Sequence, residues 1–402
     1  MKILVMTQYY PPEPGAPSNR LSAYVEAMTG RGHDVTVICE FPNYPSGVLS
    51  KEDRGRLFRV EHKGSCRVIR TFVLAFAKKN NVKRVLYYFS FAVSSFLAGM
   101  MVRRHDIVFS SSPPIFHVYG AMIIARIKRS RLVLDIRDLW PDSVPAFDAM
   151  HNDKLMKWAG HIEKQLYRHA AAIFTVSRGI KAKIESRGGL GKAHIVYNGT
   201  TEEMFKYEGD IAGFRNRVGW DGKFVILYAG IIGLGQHLFG LLSEIEAVST
   251  DDILFVFVGE GPEKNSMIGE IQKSRIANVR FTDLVPRQEI IAYTSAADVM
   301  MVILRESEFF TSAIPSKFFD SMAAGKPVLT NVGGELREMM EEYRTGIYFS
   351  LNDKGSFAKA IDILKKDSRL RQELGENGRN MVRAKFIRKN LADEAVRIIE
   401  KL

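Results

Sequence analysis

A lysine and an aspartate, Lys317 and Asp320, stand three residues apart in a segment whose pattern predicts a helix. Pro315 suits the first turn of that helix, and Gly325 ends it before an apolar strand. Because residues three apart share a helix face, the ammonium can meet a diphosphate while the carboxylate accepts hydrogen bonds from ribose hydroxyls. By themselves, two such residues more often form an exposed ion pair worth roughly 0.3 kcal/mol.

Two glycine-containing turns offer backbone amides to an anion. Gly15 and Ala16 stand where a helix follows the first strand, and Gly230 and Gly233 follow the first strand of the second half. Glu260 lies in the Gly-Glu-Gly-Pro turn that closes the next strand. Small residues let a phosphate approach free N–H groups, and the helix dipole favours its negative charge. Each turn alone is as consistent with an ordinary connection between a strand and a helix.

The elements that position these residues alternate along the whole chain. Short apolar runs followed by helical patterns predict parallel sheets built from strand-helix-strand units. The predicted strands are residues 3–7, 35–39, 107–110, 132–136, 172–176, 194–197, 224–229, 253–258, 279–282, 299–303, 327–330 and 346–349. We therefore expect an α/β protein with two doubly wound domains and a ligand in the cleft that the strand C-termini face.

Length and charge exclude several classes of protein. A chain of 402 residues with 46% apolar residues is long enough for two or three domains with real cores. The net charge of +12 comes entirely from residues 1–200, and residues 51–104 carry 13 basic and 3 acidic side chains. Such a surface attracts an anionic membrane, an anionic lipid-linked substrate or nucleic acid, or is simply a solvated face.

The sequence offers little for a disulfide or a metal. Cys39 and Cys66 are too few and too far apart for a disulfide framework or a zinc site. No Asp-x-Asp triplet occurs to hold a divalent ion on a diphosphate. We expect no metal, no cofactor and, because the N-terminal apolar run is short, a cytoplasmic location.

The segment Val85–Val102 has 18 residues without a charge, between Lys83-Arg84 and Arg103-Arg104. This just reaches the length of a membrane-spanning helix. A span would place predicted strands of one sheet on opposite sides of a bilayer. We therefore favour a buried helix or one that grazes a bilayer with its basic ends.

Across nearly its whole length the chain resembles the retaining glycosyltransferases of family 4, which have the GT-B fold. The motifs, in the family's order, are the opening Pro-Glu-Pro-Gly-Ala loop, Gly32-His33-Asp34-Val35, Asn198-Gly199 with Phe205, Val258-Gly259-Glu260-Gly261-Pro262 and Met322-Ala323-Ala324-Gly325-Lys326-Pro327-Val328. The segment Asp135-Ile136-Arg137-Asp138-Leu139-Trp140-Pro141, with Pro315-Ser316-Lys317, resembles the bacterial branch that builds O-antigen, capsule and exopolysaccharide, including the fucosamine-transferase-like members.

From its turns and helical patterns we expect Rossmann-like domains at 1–200 and 201–380 and a C-terminal helix in 381–402 that returns to the first domain. The resemblance implies that the first domain binds the acceptor and the second the nucleotide sugar. It also implies a nucleotide-diphosphate sugar donor, UDP-linked, and a polyprenyl-diphosphate-linked saccharide acceptor. The basic first half fits an anionic inner-membrane surface, where a cytoplasmic peripheral enzyme would meet such an acceptor.

Five positions depart from the family pattern. Many members carry an Arg and a Lys on the diphosphate where this chain has Ile231 and Gln236. Many also carry two Glu eight residues apart, where this chain has Ser312 and Asp320. A His-Asp pair common in the first domain appears here as Arg137-Asp138. Lys317, Arg137 and backbone amides would therefore carry more of the phosphate charge.

We assign catalytic roles to Lys317, which stabilises the leaving diphosphate, and to Asp138, which orients the sugar or acceptor hydroxyl. Asn19, Arg20 and His117 are assigned to the acceptor. The donor is assigned to a larger set: Gly15, Ala16, Arg137, Gly230, Gly233, Glu260, Lys317 and Asp320. Asp138 is as compatible with capping a turn, and a lone His is more often a packing residue.

Two other classes of function stay open. A sugar-nucleotide epimerase of the same fold would bind the same donor and act without an acceptor. A basic module that binds nucleic acid or membrane without catalysis would need stacking aromatics among its Arg and Lys residues, a pattern met only locally by Tyr87, Tyr88 and Phe89. We rank nucleic-acid binding last and expect no nucleic-acid partner.

Overall fold

The computed structural model describes residues 1–77, 81–140, 142 and 153–402. The described chain forms two compact units: unit 1 contains residues 1–198 and 388–402, and unit 2 contains residues 199–387. Pro141, part of a motif noted above, lies outside the described residues.

Unit 1 is built on an eight-stranded sheet with the order β3-β4-β2-β1-β5-β6-β7-β8. Its strands are β1 (Lys2–Met6), β2 (Asp34–Glu40), β3 (Phe58–Lys63), β4 (Cys66–Thr71), β5 (Ile107–Ser112), β6 (Arg131–Ile136), β7 (Ala170–Thr175) and β8 (Ala193–Ile195). Its helices are α1 (Ala16–Gly30), α2 (Asn81–Met101), α3 (Ile115–Lys128), α4 (Asp153–His169), α5 (Arg178–Ile184), followed by a π turn (Glu185–Gly189), and the last helix of the chain, α15 (Arg388–Glu400).

The last helix of the chain belongs to the core of unit 1. Leu391, Ala395 and Ile399 of α15 are buried in one apolar cluster with Leu21 and Met28 of α1. The contact is extended at the surface, where the Arg31 guanidinium donates to Glu400 Oε1 over 2.9 Å. Because these apolar side chains repeat every three or four residues, each helix presents one stripe to the other.

The β3-β4 hairpin was not predicted, and it corrects the expectation of parallel strands throughout. Strand β3 pairs antiparallel with β4, from Phe58 opposite Thr71 to Lys63 opposite Cys66. A two-residue turn joins them, with Gly64 at a φ of 57°. This conformation favours glycine, and a positive φ suits the tight turns of hairpins. Strand β3 is an edge strand whose side chains are largely exposed, so it lacks an apolar run that would identify it.

Unit 2 is built on a six-stranded parallel sheet with the order β11-β10-β9-β12-β13-β14. Its strands are β9 (Phe224–Ala229), β10 (Ile253–Val258), β11 (Val279–Thr282), β12 (Val299–Val302), β13 (Val328–Thr330) and β14 (Gly346–Tyr348). Its helices are α6 (Ile211–Arg217), α7 (Leu242–Ala247), α8 (Lys264–Ser274), α9 (Arg287–Ala296), α10 (Glu308–Thr311), α11 (Ser316–Ala323), α12 (Gly334–Tyr343), α13 (Ser356–Lys366) and α14 (Ser368–Lys385), with 3-10 turns at Glu202–Phe205, Leu234–Gln236 and Phe239–Leu241.

The strand order of unit 2 reverses between β9 and β12, because β10 and β11 extend the sheet on one side of β9 and β12 to β14 on the other. In doubly wound sheets, ligands bind at the carboxyl ends of the strands beside such a reversal. We therefore expect a ligand-binding site of unit 2 at the loops after β9 and β12.

Boundaries differ locally from the sequence analysis. The units divide between residues 198 and 199, whereas we expected 200 and 201. Helix α14 continues to Lys385 within unit 2, so the chain returns to unit 1 at Arg388 rather than at residue 381. Between Gly233 and α7 the chain forms two 3-10 turns, because Gly235 and Gly240 interrupt the segment.

Candidate functional site

Lys317 lies in the first turn of α11, against the loop that follows β9. Its Nζ atom donates a hydrogen bond to Tyr228 Oη over 2.5 Å and stands 3.8 Å from the centre of the Tyr228 ring. A Cβ atom on Gly230 would lie 2.8 Å from the same Nζ. The structure thus places Lys317 beside Gly230, at the point where the strand order of unit 2 reverses.

The environment of Lys317 changes its charge. Burial lowers the pKa of Lys317 to about 7, because removing an ammonium from water favours its neutral form. The amine is therefore only about half protonated near neutral pH. An anion beside it would raise the pKa again, so this is a group whose charge depends on whether an anion is bound.

Glycines hold the loops after β9 and β10 in direct backbone contact. A Cβ atom on Gly259 would lie 2.0 Å from the Gly230 carbonyl oxygen, and one on Gly261 would lie 2.0 Å from the Ile232 carbonyl oxygen. Between them, the Ile232 N–H donates to the Glu260 carbonyl over 3.0 Å. Only residues without a Cβ permit this approach, so the glycines set the position of the Gly230 loop beside Lys317.

Gly233 and Glu260 occupy different surroundings. Gly233 is buried, and its carbonyl accepts a hydrogen bond from the Gln236 N–H over 2.9 Å. The Glu260 side chain is exposed and accepts from Lys264 Nζ over 2.6 Å. The same ammonium contacts Asp283 over 2.5 Å. The Glu260 carboxylate is therefore paired with a lysine, and its assignment to the donor stays a prediction.

Asp320 lies one turn after Lys317 on α11. Its Oδ1 atom accepts a hydrogen bond from Thr200 Oγ1 over 2.5 Å. Thr200 is fully buried, and its N–H donates to the Phe386 carbonyl over 2.9 Å. The threonine fixes the orientation of the carboxylate. The sequence analysis missed Thr200, although it directly follows the Asn198-Gly199 motif.

A cavity of about 200 Å³ lies at the carboxyl ends of β12, β13 and β14. Its polar lining includes Arg305, Glu306, Ser307, Asn331, Ser350 and Asn352. Asn331 is buried. Its side-chain amide accepts a hydrogen bond from the Leu304 N–H over 3.1 Å and donates one to the Leu304 carbonyl over 2.8 Å. The sequence analysis missed this cavity, although Asn331 directly follows a predicted strand.

Arg20 lies inside unit 1. It is buried, and its guanidinium donates to Asp135 Oδ1 from Nε over 3.0 Å and from Nη2 over 2.9 Å. Its Nη1 donates to the carbonyls of Val196 and Tyr197 over 2.8 and 3.1 Å. These bonds join α1, β6 and the segment after β8 inside unit 1, and the assignment of Arg20 to the acceptor stays a prediction.

His117 is also internal to unit 1. Only 1% of its surface is exposed, and its ring packs against Phe91 with the centroids 5.3 Å apart. Burial, and then the charge of Arg137, lowers the pKa of His117 to about 3. The ring is therefore neutral at physiological pH, and the assignment of His117 to the acceptor stays a prediction.

Arg137 and Asp138 follow β6 at its carboxyl end. Arg137 donates to Ser111 Oγ over 3.0 Å and to the Pro113 carbonyl over 2.8 Å, which fixes its guanidinium. Burial raises the pKa of Asp138 to about 7, although the charge of Arg137 opposes this shift. Asp138 is therefore able to gain or lose a proton near neutral pH, and its role in orienting a hydroxyl stays a prediction.

The start of α1 has the geometry expected of an open helix N-terminus. Gly15 is the N-cap residue, with a φ of 115°, and no side chain caps the helix. Ala16 is exposed and Asn19 is half-buried. The preceding loop is anchored by Glu13, whose Oε1 accepts from the N–H groups of Asn43 and Tyr44 over 2.9 and 3.0 Å.

A buried carboxylate that sequence reasoning missed lies at the end of β2. Glu40 accepts hydrogen bonds from Gln8, Asn43 and Tyr87 over 2.7, 2.8 and 2.5 Å. Burial, and then the charge of Glu13, raises the pKa of Glu40 to about 8. Gln8 follows β1 and Glu40 ends its neighbour β2, so adjacent polar strand ends are the signal that could have revealed this cluster.

Within the described residues, no group of three or more His, Cys, Asp and Glu side chains is arranged to hold a metal ion.

Comparisons with known proteins agree with this architecture. Residues 211–381 match the family model of glycosyl transferases group 1, and residues 15–199 match that of the glycosyl transferase 4-like domain. The chain is 25% identical over 335 residues to WcaI of Escherichia coli K12, a glycosyl transferase named for colanic acid biosynthesis, covering 81% of this chain and 82% of that protein.

Two solved structures have the same fold. Sucrose-phosphate synthase from Thermosynechococcus elongatus superposes with a TM-score of 0.78 at 17% identity, over 100% of this chain and 98% of that one. HepE from Anabaena, solved with UDP-glucose, superposes with a TM-score of 0.71 at 14% identity over 100% of both chains. Since the two family matches span most of its length, the chain belongs to the glycosyl transferases group 1, enzymes with the GT-B fold.

Proposed function

We propose that this glycosyltransferase moves a sugar from a UDP-linked donor to a lipid-linked or saccharide acceptor in the synthesis of a cell-surface polysaccharide. The observation that carries the donor assignment is Lys317 held against the Gly230 loop at the reversal of the unit 2 sheet. HepE was solved with UDP-glucose, and WcaI is named for the synthesis of a polysaccharide, which supports the two halves of the proposal.

The diphosphate of the donor binds beside Lys317. The two family positions that carry Arg and Lys elsewhere are Ile231, which is 54% exposed, and Gln236. Lys317 is thus a cation next to the Gly230 turn, and the first turn of α11 adds partial positive charge. The N–H groups of Gly230 and Ile232 are already used, since they donate to the carbonyls of Val258 and Glu260. Asp320, oriented by Thr200, accepts hydrogen bonds from the ribose hydroxyls.

Transfer proceeds with retention, as the family resemblance implies, and without a metal ion, as we expect from a sequence that has no Asp-x-Asp triplet. The bond between the anomeric carbon and the diphosphate oxygen breaks, and a new bond forms from the acceptor oxygen to the same face of that carbon. A donor phosphate oxygen takes the acceptor proton. Lys317 and the first turn of α11 stabilise the negative charge that develops on the leaving diphosphate, and Asp138 orients a sugar or acceptor hydroxyl.

A polyprenyl-diphosphate-linked acceptor would place the enzyme at the inner face of the cell membrane, as a cytoplasmic protein that associates with the surface. The 13 basic and 3 acidic side chains in residues 51–104 support this location, because anionic lipid attracts such a segment.

The test is a panel of sugar nucleotides, scored first by thermal stabilisation and then by transfer to a lipid-diphosphate sugar with and without EDTA. We expect a UDP-sugar to stabilise the protein most, and EDTA to leave transfer unchanged. Lys317→Ala and Asp320→Ala should weaken its binding by about tenfold or more, since each removes a charge-assisted hydrogen bond.

Lys273→Ala is the matched control, because Lys273 is an exposed lysine of the same unit. Unchanged donor affinity in both site variants would remove the site assignment. A new sugar nucleotide formed without any acceptor would show an epimerase instead.

A further inference from the structure

Helix α2 carries an apolar stripe on its outward face. The exposed residues of this stripe recur every three or four positions: Val82, Leu86, Phe89, Val93, Leu97 and Met100, between 36% and 68% exposed. The opposite, buried stripe consists of Tyr87, Phe91, Ser95 and Gly99. A helix on the surface of a protein in water normally exposes polar residues and keeps its apolar residues on the buried face.

The inner stripe holds α2 on unit 1. Tyr87 donates to Glu40 over 2.5 Å, and Ser94 Oγ donates to the Phe72 carbonyl over 2.6 Å. At the C-terminal end, Lys128 Nζ donates to the carbonyls of Gly99 and Met100 over 2.8 and 3.0 Å. By length and composition the helix is able to cross a membrane, but these contacts make it part of the folded unit.

Basic side chains surround the apolar stripe. Lys83 and Arg84 are exposed in the first turn of α2, and Arg103 and Arg104 are exposed just after its end. The neighbouring helix α3 adds exposed Arg126 and Arg129 at its C-terminal end. Residues 81–104 and 115–129 contain no Asp or Glu, so this face combines exposed apolar surface with positive charge alone.

We propose that the outward face of α2 docks on an anionic phospholipid bilayer, with the helix lying in the plane of the interface. Its apolar stripe, about 30 Å long for a helix of this length, enters the boundary between headgroups and acyl chains. The flanking arginines and lysines meet the lipid phosphates. Two copies of this chain packed through the same face would bring basic ends together without acidic partners, which disfavours a dimer.

The inference comes from α2 and the basic residues around it and does not depend on the donor or the acceptor, so it is tested with vesicles that contain neither. The full chain is floated with vesicles of phosphatidylcholine and with vesicles in which one third of the lipid is phosphatidylglycerol. We expect binding to the second kind, weakened by high salt but not abolished.

Two variants separate the apolar and the electrostatic contributions. Leu86→Ser with Phe89→Ser and Val93→Ser should lower the vesicle partition coefficient by about tenfold or more. Arg103→Gln with Arg104→Gln should lower binding and reduce its dependence on salt. Leu190→Ser is the control, since Leu190 is 78% exposed in the same unit and lies outside α2. Equal binding of all variants would overturn the proposal.

A fluorescent label gives a second measurement that does not depend on losing binding. Cys39 and Cys66 are both buried, and burial raises their thiol pKa values to about 12 and about 11. A cysteine introduced as Phe89→Cys is therefore labelled selectively with an environment-sensitive dye. Vesicles should shift its emission to the blue and leave a Leu190→Cys label unchanged.

Three results would contradict docking in the interface. The first is no shift at position 89. The second is resistance to alkaline extraction, which would show a span. The third is a protein that binds no vesicles and forms a dimer in solution, with the dimer lost in the triple serine variant. This would show that a second copy covers the outward face of α2.

Discussion

The charge of Lys317 should make donor binding take up a proton. In the free enzyme its pKa is lowered to about 7 because the amine is buried. A diphosphate beside the amine favours the ammonium and raises that pKa. By linkage, affinity for the sugar nucleotide is then constant below about pH 6 and falls as the pH rises through 7, because the free enzyme must first gain the proton.

The number of protons taken up when the donor binds follows from the pKa of Lys317. At pH 8 a group with a pKa of about 7 is only about one-tenth protonated. Binding that restores full protonation takes up about 0.9 proton per donor, and affinity falls up to about tenfold per pH unit until the pKa of the complex is reached. At pH 6, where the amine is already about nine-tenths charged, uptake should be close to about 0.1 proton.

Isothermal titration calorimetry of the best-stabilising sugar nucleotide measures this uptake. The binding enthalpy at pH 8 is plotted against the ionisation enthalpy of each buffer. The slope of this plot gives the number of protons taken up per donor bound. We expect Lys317→Met to abolish the slope and Lys273→Met to keep it. A slope of zero in the unchanged protein at pH 8, or the same slope in Lys317→Met, would refute the reasoning.

Two further predictions concern stability, measured as the free energy of unfolding in urea. Arg20→Met should cost about 3–5 kcal/mol, because it leaves a buried carboxylate without its partner, whereas exposed Arg104→Met should change it by less than about 0.5 kcal/mol. Gly259→Ala should cost at least about 2 kcal/mol or prevent folding, since the new Cβ meets the Gly230 carbonyl at 2.0 Å and φ is 146°, while Gly269→Ala, with open space around it in α8, should be neutral or stabilising. Equal losses in either variant and its control would show that the named contact is not the cause.

Much of the fold was predictable because buried parallel strands are continuous apolar runs. Strands β9, β10 and β11 have the bounds that the sequence analysis predicted. The β3-β4 hairpin was not, because Arg59, Glu61 and Lys63 make an edge strand look like a polar loop. Edge strands need few apolar residues, so periodicity detects them poorly.

The site was predictable only in part. Lys317 and Gly230 were named from residue type and from their positions at element ends, and the structure places them together. Arg20 was also chosen by type, but its charge is used inside unit 1 against Asp135. A guanidinium has the same sequence signature whether it faces a ligand or a buried carboxylate, so residue type alone could not separate these roles.

The amino-acid sequence by itself determined the class of fold, the order of most of the strands and the family, because apolar period, glycine turns and motif order are properties of neighbouring residues. Tertiary structure decided which side chains are charged at neutral pH and which apolar residues stay exposed. Burial made Lys317 a weak base, kept His117 neutral and left the apolar stripe of α2 facing outward. Those outcomes depend on desolvation by residues far apart in the chain, which no local pattern records.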